Sequence, residues 1–258
     1  VYEVYKRTAE AGRGRAVNAP FLSEGLDRAD REKRLVAATS VAAAVFLTGM
    51  KVVVGFSTGS IGILAEAAHS ALDLVAAAVT FWAVRIAGRP ADPEHTYGHG
   101  KVENVSALFE TGLLLATCVW IVYESVERLF FHPAHVQPTP WAFAVMAVSI
   151  VVDVSRSRAL ARTAKKYGSQ ALEADALHFS TDVWSSAVVL VGLALVVVSE
   201  KTGIAWLAQA DAIAALAVAA IVVVLSLRLG KKSIDDLVDA VPEGLRETLV
   251  AAARVPGV

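Results

Sequence analysis

Two stretches of the sequence carry the same pair of polar side chains at the same spacing. His69 lies four residues before Asp73, and His178 lies four residues before Asp182, each within an apolar run. In an α-helix, residues i and i+4 lie on one face, so each stretch presents an imidazole and a carboxylate together. Two such faces turned towards each other supply four ligands, the number that a tetrahedral Zn²⁺ site takes.

A single His-x-x-x-Asp pair is a weak indication of a metal site, because it more often lies on a solvated helix face. Here both pairs lie in apolar segments of membrane-spanning length. Ionisable groups at membrane depth are costly and rare, and by default they mark a transport path or a buried functional site. The duplication within such segments therefore favours a metal site.

The composition indicates a membrane protein. Hydrophobic residues make up 55% of the 258 residues and charged residues 19%, with a mean hydropathy of +0.54. This is too apolar for an ordinary soluble domain, and the apolar residues are grouped in blocks of membrane-helix length. The net charge of −1 gives no indication of a nucleic-acid partner. The one cysteine, Cys118, excludes an intrachain disulfide and a cysteine cluster.

Turn residues divide the chain into six predicted spans. They cover residues 35–56, 61–86, 105–130, 141–160, 172–198 and 208–229. Lysine and arginine are concentrated in the N-terminal arm, in the second-to-third and fourth-to-fifth connections, and after the sixth span. Because positive charge stays on the cytosolic side, we predict an all-α, multi-pass membrane protein with both termini cytosolic, placed in the plasma (inner) membrane.

These residues and their neighbours resemble the cation diffusion facilitator family. The similarity covers residues 34–242 and is carried by Ser-Ile-Gly-Ile-Leu-Ala at 60–65, Glu-Ala-Asp at 173–175 and Tyr-Gly-His-Gly-Lys-Val-Glu at 97–103. The resemblance implies a six-span, proton-coupled transporter of divalent metals, usually a homodimer. Its metal site takes two residues from the second span and two from the fifth, which here are His69, Asp73, His178 and Asp182.

The ligand types predict the metal. Two imidazoles and two carboxylates suit Zn²⁺ and also accept Co²⁺ or Cd²⁺, whereas Mg²⁺ and Ca²⁺ need six or more oxygens. In the family that the chain resembles, His-plus-Asp sets occur most often with zinc, and other sets occur with iron or manganese. We predict Zn²⁺ export from the cytosol. Transport of Fe²⁺, Mn²⁺, Cd²⁺ or Co²⁺, and a metal sensor that does not transport, are the alternatives.

The same four groups predict proton coupling. Two neighbouring carboxylates at membrane depth cannot both stay ionised cheaply, because desolvation and like charge oppose it. Histidine titrates near neutral pH and must lose its proton before it binds metal. Metal and protons therefore compete for one site, which predicts exchange by alternating access. A catalytic zinc keeps an open position, and four protein ligands leave none, so we predict a transporter and not an enzyme.

A loop between the second and third spans holds a second candidate metal site, Asp92, His95 and His99. The spacing by itself also fits a solvated histidine pair. The resemblance favours metal, because some family members bind zinc at a matching Asp-x-x-His-x-x-x-His. We therefore predict a cytosolic zinc ion here, with a regulatory or ion-collecting role.

Four further charged residues have predicted roles, two beside the metal site and two at a dimer interface. Glu66 and Asp175 each lie three residues before a ligand histidine, where we expect them to orient the imidazole or line the entry path. A helix-end carboxylate near the cytosolic interface is the alternative for Asp175. The resemblance also implies a charge interlock between Lys101 and Asp239 at a dimer interface, with two unrelated exposed charges as the alternative.

The predicted domains follow from these boundaries. Residues 1–34 are assigned to a cytosolic arm, 35–230 to the six-helix transport domain, and 231–258 to a linker and the start of a cytosolic C-terminal domain. The pattern after Pro242 predicts the start of an amphipathic helix, where the family that the chain resembles has a small cytosolic domain, and the chain stops at Val258. We therefore expect this last domain to be truncated.

Overall fold

The computed structural model describes residues 19–130, 140–202 and 210–240, and all the regular structure in these ranges is α-helical. The helices are α1 (Ala19–Thr58), α2 (Ile61–Ala87), α3 (Lys101–Phe130), α4 (Pro140–Tyr167), α5 (Gln170–Thr202) and α6 (Ala210–Leu237). The predicted all-α class is confirmed. Residues 1–18 of the predicted arm and residues 241–258 of the predicted C-terminal domain lie outside the described ranges.

Three helical stretches among the described residues are long and apolar enough to cross a membrane: Asp27–Thr58, Glu66–Ala87 and Lys101–Glu127. Large apolar side chains also cover the outside of the bundle, including Phe56, Trp120 and Val151. Such a surface suits contact with lipid rather than water. The count of six spans and the cytosolic placement of the termini stay predictions.

The helices are longer than the predicted spans. α1 begins at Ala19 instead of residue 35, and α6 continues to Leu237 instead of residue 229. The predicted fourth span ends at residue 160, whereas α4 continues to Tyr167, so the basic connection is largely helical and only two residues separate α4 from α5. Alanine, arginine and lysine are good helix formers, so this charged segment continues the helix past the apolar block.

The turn between α4 and α5 is made by two residues with distinct roles. Gly168 has φ +65°, in the left-handed region where glycine avoids the steric cost of a side chain. Ser169 follows as the N-cap of α5, and its Oγ accepts a hydrogen bond from the Leu172 amide at 3.4 Å. This turn places the start of α5 directly against α4.

Four helices, α1, α2, α4 and α5, share the main apolar core, and α3 pairs with α6 beside them. Small side chains such as Ala37, Ala77, Ala164 and Ala171 are almost fully buried in this core, which lets the helix backbones approach closely. α5 contacts α2, α3, α4 and α6. Together with the contact between α2 and α3, it joins the two groups.

Candidate metal centre

α2 and α5 bring the four predicted ligands into one cluster. The His178 Nε2 atom lies 3.2 Å from Asp73 Oδ1 and 3.6 Å from Asp182 Oδ2. The His69 Nε2 atom lies 3.9 Å from Asp73 Oδ1 and 3.8 Å from Asp182 Oδ1. Each histidine therefore contacts the carboxylate of its own helix and that of the other helix.

These distances suit a small tetrahedral ion. Zinc bonds to nitrogen and oxygen of about 2.0–2.2 Å place the ligand atoms of a tetrahedron about 3.3–3.6 Å apart. The four contacts between the histidines and the aspartates span 3.2–3.9 Å. His69, Asp73 and Asp182 offer ligand atoms that all lie within 4.8 Å of one another. His178 contacts both aspartates but does not belong to that group of three, so it would have to move to complete a tetrahedron around one ion.

The four side chains differ in how far they are covered. The side chain of His178 is only 5% exposed, and those of Asp73 and Asp182 are also largely covered. The His69 side chain is 40% exposed. His69 is therefore the most exposed of the four side chains.

Glu110 of α3 is a neighbour of the cluster that the sequence analysis missed. Its side chain is fully buried, its Oε2 lies 3.7 Å from His178 Nδ1, and its Oε1 accepts a hydrogen bond from Thr80 Oγ1 at 3.1 Å. An acid inside an apolar span was the available signal. No spacing motif links it to the two His/Asp pairs, so its partner was not readable from the chain.

Asp175 is completely buried and belongs to a hydrogen-bond network with Ser40 and Arg156. It accepts a hydrogen bond from Ser40 Oγ at 3.3 Å, and Arg156 donates to the same hydroxyl at 3.1 Å. The Arg156 guanidinium also lies over the Phe179 ring, 3.5 Å from its centroid. This burial disagrees with the alternative of a solvated helix-end carboxylate.

Glu66 contacts a lysine that the sequence analysis did not consider. Lys51 of α1 is buried, and its Nζ lies 3.3 Å from Glu66 Oε2 and 2.7 Å from Ser70 Oγ. The Glu66 side chain is half-exposed. The pair lies one helical turn before His69, on the side of α2 that faces α1.

The loop brings Asp92, His95 and His99 together. Asp92 Oδ1 lies 3.0 Å from His95 Nδ1, Asp92 Oδ2 lies 3.3 Å from His99 Nε2, and the two imidazole centroids are 4.5 Å apart. The backbone amide of His95 donates to Asp92 and holds the pKa of that carboxyl below its usual range. The three groups are close enough to share one ion.

Lys101 and Asp239 meet at the ends of α3 and α6. The Lys101 Nζ atom donates to Asp239 Oδ2 at 2.8 Å and to the Leu237 carbonyl at 2.9 Å. A cation at the C-terminal end of a helix is favourable, because it faces unsatisfied carbonyl groups. Within one chain, the pair therefore joins the start of α3 to the end of α6.

Comparison with known sequences identifies the family. Residues 37–238 match the profile described as the cation efflux transmembrane domain. The chain belongs to the cation efflux family. The predicted resemblance to the cation diffusion facilitators is thus confirmed. The prediction of a multi-pass integral membrane protein is also confirmed.

Several transporters are similar to this cation efflux chain. An uncharacterized transporter of Synechocystis is 35% identical over 209 residues, which cover 81% of this chain and 65% of the relative. The cation-efflux pumps FieF of Salmonella paratyphi A and Salmonella agona are each 29% identical over 223 residues, covering 83% of this chain and 69% of theirs. The chain therefore spans about two thirds of the length of these relatives.

Family membership also decides between a transporter and a metalloenzyme. Members of a cation efflux family are transporters and not enzymes, so the predicted class is confirmed and the metalloenzyme alternative is set aside. Members of this family transport divalent metal cations.

Proposed function

We propose that this chain exports Zn²⁺ from the cytosol, through a site formed by His69, Asp73, His178 and Asp182, in exchange for protons. The observation that carries the proposal is the convergence of these four side chains, with contacts of 3.2–3.9 Å between α2 and α5. Membership in the cation efflux family supports transport of a divalent cation. The choice of zinc rests on two imidazoles in the ligand set.

Charge balance supports a loaded site at membrane depth. Two ionised carboxylates cancel the double charge of the ion, so the complex is formally neutral. A neutral complex avoids the large cost of an unpaired charge in a low-dielectric environment. The access to the site can then change from one side of the membrane to the other while the ion stays bound.

Proton exchange follows from the atoms that the ion would use. The His178 Nε2 atom already makes a hydrogen bond with Asp73 Oδ1 at 3.2 Å, so a proton there is held by two groups of the proposed metal site. Zinc binding at Nε2 displaces that proton. Alternating access then carries zinc one way and protons the other.

The other untested predictions form part of the same proposal. Asp92, His95 and His99 hold a second, regulatory zinc ion in the cytosolic loop. The chain forms a homodimer in the plasma (inner) membrane, with Lys101 and Asp239 contributing a charge interlock. Residues 1–34, 35–230 and 231–258 are the arm, the transport domain, and the linker with the start of a cytosolic domain.

The deciding experiment is metal flux into proteoliposomes. We expect Zn²⁺ flux to exceed Fe²⁺ and Mn²⁺ flux, to rise with an opposing proton gradient, and to be abolished by Asp182→Ala. Asp235→Ala, which removes an acidic residue near the end of α6, is the matched control and should transport like the wild type.

Three results would count against the proposal. Wild-type zinc flux in Asp182→Ala would remove the four-residue site. Flux that does not respond to the proton gradient would remove the coupling. Zinc binding at this site without any flux would favour the metal-sensor alternative.

A further inference from the structure

Glu110 contacts the one imidazole nitrogen of His178 that the proposed metal site does not use. His178 Nε2 points to Asp73 and Asp182, while its Nδ1, on the other side of the ring, lies 3.7 Å from Glu110 Oε2. Glu110 belongs to α3, which supplies none of the four proposed ligands. The contact therefore links a third helix to the cluster.

Both atoms of this contact lack another hydrogen-bond partner among the described residues. His178 Nδ1 and Glu110 Oε2 are each buried without a hydrogen bond. A buried polar group left in this way destabilises the folded state. A movement of a few tenths of an ångström would join the two atoms at hydrogen-bond distance, so each is the partner that the other needs.

The Glu110 carboxylate is also held in place from its other oxygen. Thr80 Oγ1 of α2 donates to Glu110 Oε1 at 3.1 Å, and both side chains are completely buried. α2 also carries His69 and Asp73. The chain Thr80–Glu110–His178 therefore ties α2, α3 and α5 together behind the proposed site.

We propose that Glu110 is a positioning residue of the transport site, which accepts a hydrogen bond from His178 Nδ1–H and so presents Nε2 to the metal. The inference rests on the proposed function, because it assigns His178 Nε2 as a ligand. Imidazole ligands usually donate their second N–H to a carboxylate or carbonyl, and loss of that partner typically weakens metal binding 10–100-fold. Glu110 itself does not contact the ion.

The rival account is that Glu110 only packs α3 against its neighbours. The two accounts differ in whether the effect of Glu110 depends on His178. A positioning residue acts through the imidazole, so replacing the imidazole removes its effect. A packing residue retains its effect when His178 is replaced.

The test measures Zn²⁺ affinity of the purified chain by competition with a fluorescent chelator. All variants carry His95→Ala, so that the loop does not contribute. We expect Glu110→Ala to weaken zinc binding 10–100-fold and Glu110→Gln to weaken it less, because the amide oxygen still accepts a hydrogen bond. Thr111→Val, the next residue of α3, is the control and should bind zinc within about twofold of the background.

The same substitutions are then made together with His178→Asp. We expect Glu110→Gln and Glu110→Ala to have no further effect on zinc affinity there. In ¹⁵N-histidine spectra, we expect Glu110→Ala to change the Nδ1 signal of His178 and Thr111→Val to leave that signal unchanged. If Glu110→Ala does not fold, Glu110→Gln and the spectra carry the test.

Two outcomes would overturn the inference. Equal losses of affinity with and without His178 would assign Glu110 to packing, and unchanged affinity with unchanged spectra would leave it without a role. Asp182→Ala is measured in parallel. If Asp182→Ala binds zinc as tightly as the background, the four-residue site itself is wrong, and that failure is separate from one confined to Glu110.

Discussion

The two histidines of the proposed site differ in their surroundings, although the sequence presents them as equivalent. His178 is enclosed and contacts Asp73, Asp182 and Glu110. His69 contacts only the two aspartates among these and is the most exposed of the four ligands. Water can therefore take the place of His69 more easily than that of His178.

This difference predicts unequal effects of substitution. One of four ligands corresponds to roughly a quarter of a zinc binding free energy of about 10–16 kcal/mol, which is about 100-fold or more in affinity. We expect His178→Ala to show that full loss, and His69→Ala a loss of about tenfold because a water molecule completes the tetrahedron. Zinc titration of both variants checks this, and equal losses would contradict it.

The loop site predicts a second, separable zinc ion. We expect His95→Ala to lower bound zinc from two ions per chain to one while zinc flux continues, and Glu94→Ala to leave the count unchanged. Metal analysis after dialysis provides the measurement. A count that stays at two in His95→Ala would contradict the loop site.

Acidification should not release the loop ion through Asp92. The His95 amide lowers the pKa of Asp92 from its ordinary value of 3.8. The Asp92 carboxylate therefore keeps its ionised-state interactions at every pH above 3.8. It loses them only as the pH falls through its lowered pKa in the folded chain. We expect Asp92 to stay ionised between pH 7 and 5. In ¹³C spectra of its carboxyl carbon over that range, a titration would contradict this expectation.

At the scale of elements, the contact between the ends of α3 and α6 has a role within a single chain. Lys101 bonds both the Leu237 carbonyl and Asp239, and the side chains of Lys101 and Asp239 are 53% and 79% exposed. Exposed ion pairs contribute only about 0–1 kcal/mol. The pair therefore adds little to the stability of one chain.

The proposed interlock then predicts a specific outcome for Lys101→Ala. We expect the free energy of unfolding to fall by less than about 1 kcal/mol, while the dimer fraction in sedimentation falls clearly. Lys231→Ala, an exposed lysine on α6, is the control and should remain as dimeric as the wild type. Unchanged dimerisation and transport in Lys101→Ala would leave the pair as a local helix-end contact.

At the scale of the whole molecule, the bundle combines a four-helix core with the α3–α6 pair. The proposed ligands come from α2 and α5, inside the core, whereas Glu110 comes from α3. α5 contacts both groups. A movement of the α3–α6 pair against the core would therefore shift Glu110 relative to His178. The proposed site thus lies where such a movement can alter its geometry.

The predicted topology can be tested over the whole chain with single cysteines. In a Cys118→Ala background, which removes the one native cysteine, we expect Thr58→Cys to react with an impermeant maleimide in intact cells. We expect Glu94→Cys to react only in inside-out vesicles. Both positions are exposed, so accessibility does not limit the test, and labelling of both from one side would contradict the six-span topology.

Features that depend on local spacing can be read from the amino-acid sequence. The i, i+4 pairs at His69 and His178, the Asp92–His95–His99 loop and the all-α class are set by helical periodicity, turn residues and apolar block length. These are short-range properties, and they are enough to indicate the family. The helical form of the basic segment after residue 160 was not predicted, because the charged residues that end an apolar block do not end a helix.

The tertiary structure alone decided which distant residues meet. Glu110 with His178, Lys51 with Glu66, and Arg156 with Ser40 and Asp175 join different helices, and no spacing rule predicts contacts between helices. The unequal exposure of His69 and His178 has the same origin. Helix packing, rather than any local sequence preference, determines which face of each helix is covered and by what.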